Sequence, residues 1–184
     1  MSKVYVFLAD GFEEVEGLTA VDLLRRAGVE VVTVSINGNR IVTGSHKIPV
    51  ASDALFEEID ASDADVLLLP GGMPGTTHLA EHEGLGALLK NAAAKGTGLA
   101  AICAAPTVLG GLGLLRGRTA VCYPGCEGKL TGAAIGSENV EVDGNITTSK
   151  GVGTAIDFAL ELIRQLCGEK KSEDIAASIL YKKP

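Results

Sequence analysis

A cysteine at the point where a buried strand runs straight into a helix can be an activated nucleophile, and Cys103 stands at such a point. The apolar run Gly98 to Ile102 gives way without a linker to Ala104-Ala105-Pro106, which reads as a first helical turn. Backbone N–H groups and the positive end of a helix dipole then face the sulfur, which predicts a stabilised thiolate. The second residue with chemistry to offer is Glu16, in the segment DGFEEVE at the start of another helix. Glu13 and Glu14 of that segment are expected to serve the helix N-terminus, where negative charge is favoured. Glu16 points elsewhere. A carboxyl brought against a thiolate in a poorly solvated cleft should stay protonated and donate a hydrogen bond to sulfur. Such a pair activates a cysteine without a histidine base.

Other strings invite the same question. Gly71-Gly72-Met73-Pro74-Gly75 follows a strand, so its backbone could approach a ligand closely and offer N–H groups to an oxyanion, or form an ordinary Gly/Pro turn. Gly151-Val152-Gly153-Thr154 lacks the third glycine of a dinucleotide fingerprint, which rules out a nicotinamide site there and leaves a helix-start anion site open. His78 to His82 spells H-x-x-E-H, the inverted zincin order. That string leaves a Pro/Gly loop, runs into Glu83-Gly84 and has no strong third ligand, so a solvated helix start is expected and no metal site is assigned. Cys122 and Cys126 flank a Tyr-Pro-Gly turn at a spacing unlike CxxC; structural thiols are expected, with a role as partners of an oxidised Cys103 left open. Cys167, beside Leu166 in an apolar stripe, is expected to be buried.

The elements that must position these residues fit one α/β domain over residues 1–184, since 184 residues with 46% hydrophobic content suffice for one sizeable core. Val4 to Ala9, Val29 to Ile36, Asp65 to Leu69, Gly98 to Ile102 and Thr119 to Tyr123 read as strands covered on both faces. Between them, Glu13 to Ala27, Glu83 to Lys95, Pro106 to Leu115 and Thr154 to Leu166 read as helices, and Ser172 is the expected N-cap of a last one. Arg40 to Ala51 suggests a short hairpin off the main sheet, and Asp143-Gly144 a tight hairpin turn. The alternation calls for a doubly wound, mostly parallel sheet with helices on both faces. Functional loops of such a sheet lie at the C-terminal strand ends, where Asp10 to Glu16, Pro70 to Thr77 and Cys103 all fall.

Charge and composition narrow the partners. With 23 acidic against 16 basic residues, a net charge of -7 and no Lys/Arg block longer than two, a nucleic-acid footprint is not expected. No apolar run approaches the ~18 residues that span a bilayer, so no membrane partner is expected. The N-terminus turns acidic too early for a secretory leader, and a cytoplasmic setting with free thiols follows as the expectation.

Taken together and in order, ADGFEEVE, VDLLRRAG, LLLPGG, AAICAAP and SKGVGTAIDFAL resemble the DJ-1/ThiJ/PfpI superfamily, on its ThiJ/DJ-1 side, from Val4 to about Leu180. The resemblance implies a flavodoxin-like sandwich, usually dimeric, with the reactive cysteine on a nucleophile elbow. It assigns Cys103 as that cysteine, Glu16 as the carboxyl bonded to it, and Gly71 and Gly72 as the glycine pair whose amide faces the sulfur. It further implies cofactor-independent glyoxalase or deglycase activity on 2-oxoaldehydes or glycated substrates, methylglyoxal to lactate being the leading expectation. An oxidative-stress sensor or chaperone dimer without turnover is the rival, and a metabolite-binding module a third. Two substitutions depart from the pattern: Tyr123 replaces a histidine before Pro124, and His46 stands where close relatives carry an arginine near the dimer cleft. Both are expected to line the substrate site. Ala104 directly follows the cysteine, where peptidase-like members place a histidine, so proteolysis is disfavoured.

Overall fold

Short apolar runs that alternate with amphipathic stretches can bury themselves only by stacking in layers, and the computed structural model, which describes residues 2–182, shows that arrangement. The strands are β1 (Lys3–Leu8), β2 (Glu30–Ser35), β3 (Ile41–Thr43), β4 (Pro49–Ala51), β5 (Ala54–Leu55), β6 (Val66–Leu69), β7 (Gly98–Ile102), β8 (Thr119–Ala120), β9 (Ala134–Ile135), β10 (Val140–Asp143) and β11 (Ile146–Ser149). The helices are α1 (Glu14–Arg26), α2 (Gly75–Glu81), α3 (Glu83–Lys95), α4 (Pro106–Gly111), α5 (Ala155–Cys167) and α6 (Glu169–Ser178). A seven-stranded sheet runs β10-β11-β7-β6-β1-β2-β5, parallel except for the β10–β11 hairpin at one edge. The expected flavodoxin-like, doubly wound α/β class is the observed one.

Strand alternation divides the core in two. Val4, Val6 and Leu8 point to the side covered by α1 and α5, where Phe158, Leu162 and Ile163 meet them. Tyr5, Phe7 and Ala9 point to the other side, against Leu79, Leu85 and Leu89 of α2 and α3. Because both sides are covered, β6 and β7 carry no polar side chain, and β1, β6 and β7 end together where three loops meet.

Several expectations shift. The strand over Thr119 to Tyr123 shortens to β8, paired with β9 in a separate two-stranded ribbon. Its continuation turns toward the cysteine instead: Val121 N–H donates to Thr148 Oγ1 and Tyr123 N–H to the Cys103 carbonyl at 2.7 Å. Helix α4 stops at Gly111, well before Leu115, and Gly113 follows in the left-handed region at φ +76°. Ser172 is not an N-cap; α6 begins at Glu169, and the Ser172 hydroxyl donates to the Leu160 carbonyl of α5. Val15, which a stripe of apolar residues at every third position from Val15 to Ala27 would bury, is 48% exposed, since the buried face follows Ala20, Leu23 and Leu24. Cys167 is exposed at the end of α5.

Phe158 is fully buried in the α1/α5 layer, so Phe158→Ala is expected to lower the unfolding free energy by about 3–5 kcal/mol, read from urea denaturation.

Candidate functional site

Cys103 occupies the left-handed region at φ +64°, a conformation that costs a non-glycine residue on the order of 1–3 kcal/mol. Three hydrogen bonds hold it there: Cys103 N–H to the Ser149 carbonyl at 3.0 Å, Ala105 N–H to the Ile102 carbonyl at 3.1 Å, and Tyr123 N–H to the Cys103 carbonyl at 2.7 Å. The strand-to-helix junction is therefore a sharp elbow that lifts the thiol out of the sheet. Cys103 itself is half-buried.

Glu16 reaches the sulfur from the first turn of α1 and is wholly inaccessible to solvent. Its Oε2 accepts from Gly71 N–H at 3.0 Å, its buried Oε1 has no hydrogen-bond partner among the described residues, and the carboxyl group as a whole meets the Cys103 thiol. The two glycines divide the labour. Gly71 serves the carboxylate; the N–H groups of Gly72 and Ala104 face the sulfur. A Cβ on Gly71 would lie 2.5 Å from the Cys103 Cβ and 2.6 Å from Glu16 Oε2, so only glycine allows the acid and the thiol to meet there. Gly72 sits at φ +91°, where a Cβ would collide with the Gly11 to Glu13 backbone, and Glu13 N–H donates to the Gly71 carbonyl at 2.8 Å. The first loop and the glycine loop are thereby locked together.

Burial raises Glu16 to about 7; the thiol contact and Gly71 N–H oppose it, and the charge on Glu13 adds to it. While Glu16 is ionised, burial and then that neighbouring charge push Cys103 up to about 12, against the N–H groups of Gly72 and Ala104. The thiolate expected from the elbow alone is thus opposed by its own partner. In so dry a contact the two charges oppose each other, so ionisation of one group disfavours ionisation of the other.

The remaining expected residues gather around this pair. His46, Tyr123 and Gly72 line one cleft with Cys103 and Glu16, and Gly151 to Thr154 line it as well. Tyr123 is 54% exposed at the mouth. The His46 ring lies 3.0 Å from Glu14 Oε2 and 3.5 Å from Glu13 Oε2, and these carboxylates, Glu14 foremost, raise its pKa. Glu14 corrects the expectation of a simple helix-terminal charge. Only Glu13 caps α1, through Val15 N–H at 3.4 Å; Glu14 is buried and accepts from the His46 and Ile48 N–H groups at 2.8 and 3.4 Å. Burial alone would raise it, yet the His46 ring and these N–H groups bring it down to about 2. No signal in the string EEVE distinguishes the two neighbours, because the partner segment lies some thirty residues away.

The H-x-x-E-H string splits. His78 Nδ1 lies 2.9 Å from the Asp10 carbonyl, and His82 caps α3 by accepting from Leu85 N–H while its ring packs on Phe56. Among the described residues, the one His/carboxylate group close enough to share a cation is Glu13, Glu14 and His46. Cys122 is buried among Leu99, Ala101 and Leu109 in the layer beneath α2 to α4, whereas Cys103 packs against the opposite layer.

Residues 2–165 match the DJ-1/PfpI family. The chain belongs to that family. Among DJ-1 relatives it is 37% identical to protein dj-1beta of Drosophila melanogaster, over 98% of both chains. It is 33% identical to the glutathione-independent glyoxalase DJR-1.2 of Caenorhabditis elegans, over 89% of this chain and 87% of that one. A solved structure of oxidized DJ-1 from Toxoplasma gondii superposes with a TM-score of 0.96 at 39% identity, covering all of both chains. The sandwich and the order of motifs are thus those of the DJ-1 family, and no helix among the described residues is long and apolar enough to cross a membrane.

Replacing the ionised partner should lower the pH at which the thiol reacts. Glu16→Gln is expected to move the midpoint of Cys103 alkylation by iodoacetamide below that of the parent, measured as rate against pH; an unchanged or higher midpoint contradicts the opposition between the two charges. Stability should respond in two windows. Glu16 lies above its unfolded value of 4.5, so the folded state binds more protons and stability declines from pH 4.5 to about 7, a slope that Glu16→Gln removes. Glu14 lies below 4.5, so its contribution is present above that pH and is lost on acidification toward about 2; Glu14→Gln should flatten that acid limb in pH-dependent denaturation.

Proposed function

We propose that the protein converts small 2-oxoaldehydes, methylglyoxal among them, to 2-hydroxy acids without a cofactor. The observation that supports this most directly is the contact between a wholly buried acid and a thiol held on an elbow with two N–H donors beside it. Glu16 takes the thiol proton as Cys103 Sγ adds to the aldehyde carbon, and the former carbonyl oxygen gains a proton to give a thiohemiacetal. The Gly72 and Ala104 N–H groups stabilise negative charge on that oxygen as it develops. Glu16 then moves the hydrogen from the aldehyde carbon to the neighbouring carbonyl carbon through an enediol, which leaves a thioester of the hydroxy acid. Water hydrolyses the thioester and returns the thiol, so the balance is oxoaldehyde plus water to hydroxy acid. The glyoxalase name borne by a relative that aligns over most of this chain supports the same reading.

Hydrolysis of early glycation adducts by the same pair is an extension of this chemistry. The reading also includes a cytoplasmic homodimer: Val15, Ile48, Tyr123 and Val152 are large apolar side chains left exposed around the start of α1 and the cleft, where a second copy would cover them. A rival assignment is redox sensing or protein protection, since the same N–H groups and a protonated Glu16 would bind a Cys103 sulfinate.

Cys103→Ala should abolish lactate formation from methylglyoxal, and Glu16→Gln should reduce kcat by about a hundredfold or more. Lactate formed at the parental rate by Cys103→Ala would overturn the catalytic assignment. Negligible parental turnover together with selective Cys103 sulfinate after mild peroxide, seen by mass spectrometry, would favour sensing.

A further inference from the structure

The lining of the cleft has a gap at residue 151. Gly151 is buried, yet its backbone needs no glycine: φ 161° and ψ -165° are extended values open to any residue. Its place is fixed from both ends, with Gly151 N–H donating to Thr154 Oγ1 at 3.1 Å and Thr154 N–H to the Gly151 carbonyl at 2.9 Å. A methyl group there would lie 3.4 Å from Tyr123 Cδ2 and 3.8 Å from Glu16 Oε1, ordinary contacts with no clash. Neither φ nor crowding explains the missing side chain. What its absence leaves is a slot between the Tyr123 ring and the carboxyl oxygen of Glu16 that lacks a partner of its own.

We propose that Gly151 sets the size limit for the group attached beside the carbonyl carbon that Cys103 attacks. This rests on the catalytic reading above and makes it more specific: the substrates are 2-oxoaldehydes bearing hydrogen or a short unbranched chain. Tyr123 is the far wall of the slot, and a thiohemiacetal hydroxyl turned toward Glu16 Oε1 supplies the donor which that buried oxygen lacks. A branched or aromatic substituent would have to displace the Tyr123 ring. Adding one methyl group at Gly151 should therefore discriminate by substrate size and leave the sulfur as reactive as before.

The test uses two alkylating probes of different bulk, iodoacetamide and phenacyl bromide, alongside turnover of glyoxal and methylglyoxal. In Gly151→Ala, alkylation of Cys103 by phenacyl bromide is expected to slow about tenfold or more relative to iodoacetamide, and kcat/KM for methylglyoxal to fall by a similar factor relative to glyoxal. Tyr123→Ala in the same background should restore the phenacyl rate. Equal slowing of both probes, no slowing of either, or failure of Tyr123→Ala to restore the rate would overturn the proposal. Should Gly151→Ala fail to fold, Tyr123→Ala alone must raise the phenacyl-to-iodoacetamide ratio, and an unchanged ratio overturns it equally. Absence of parental turnover would defeat the catalytic reading while leaving the probe ratio to decide the role of Gly151.

Discussion

The contact between a buried carboxyl and a half-buried thiol, whose charges oppose each other, is the constraint around which this molecule is arranged. Neither group would be placed there for stability, because a carboxylate without solvent and a non-glycine residue at positive φ both oppose folding. The structure offsets these costs locally. Gly71 N–H satisfies one carboxyl oxygen, three backbone hydrogen bonds hold the elbow, and two interlocked loops keep the acid from swinging away. The double-layered core supplies rigidity from beneath, since β1, β6 and β7 are buried on both sides and end together under the site.

The glycine loop illustrates how steric demands and chemistry coincide. Gly71 lacks a side chain because acid and thiol occupy that space, and Gly72 because a neighbouring loop does. Their adjacent N–H groups consequently serve different acceptors, one the carboxyl and one the sulfur. Two successive peptide units, joined at Gly71, thus span both halves of the pair and set their relative position.

Much of this was legible in the chain. The apolar run before Cys103 and the Ala-Ala-Pro after it specify a strand meeting a helix, and the alternation of elements specifies the sheet that brings Glu16 to that junction. The resemblance of the separated motifs, taken in order, supplied the pairing of the two residues. What could not be read depends on tertiary placement. EEVE holds three acids with different fates, one capping, one clamping a distant loop and one reaching the sulfur, because helix geometry turns each by about 100° and the partners come from elsewhere. Residues 121–123 have strand-like composition, but their backbone donors are taken by Thr148 and Cys103, so local propensity yields to the site. The sign of the Cys103 shift was hidden for the same reason. A helix terminus favours a thiolate, but burial and an ionised neighbour outweigh it.

The division of the core by the sheet also determines how this sulfur can age. Cys122 lies closest to Cys103 in sequence, yet the two belong to opposite layers, and Cys126 packs with Cys122. The described thiol in the layer that Cys103 packs on, Cys167, stands at the far end of α5 from the cleft, about 18 Å along the helix from Ala155, too far to close an internal disulfide with a sulfenic acid on the elbow. Its escape lies outward, through the cleft, to a small thiol from solution; failing that, further peroxide carries it to oxidation states that thiols do not reverse.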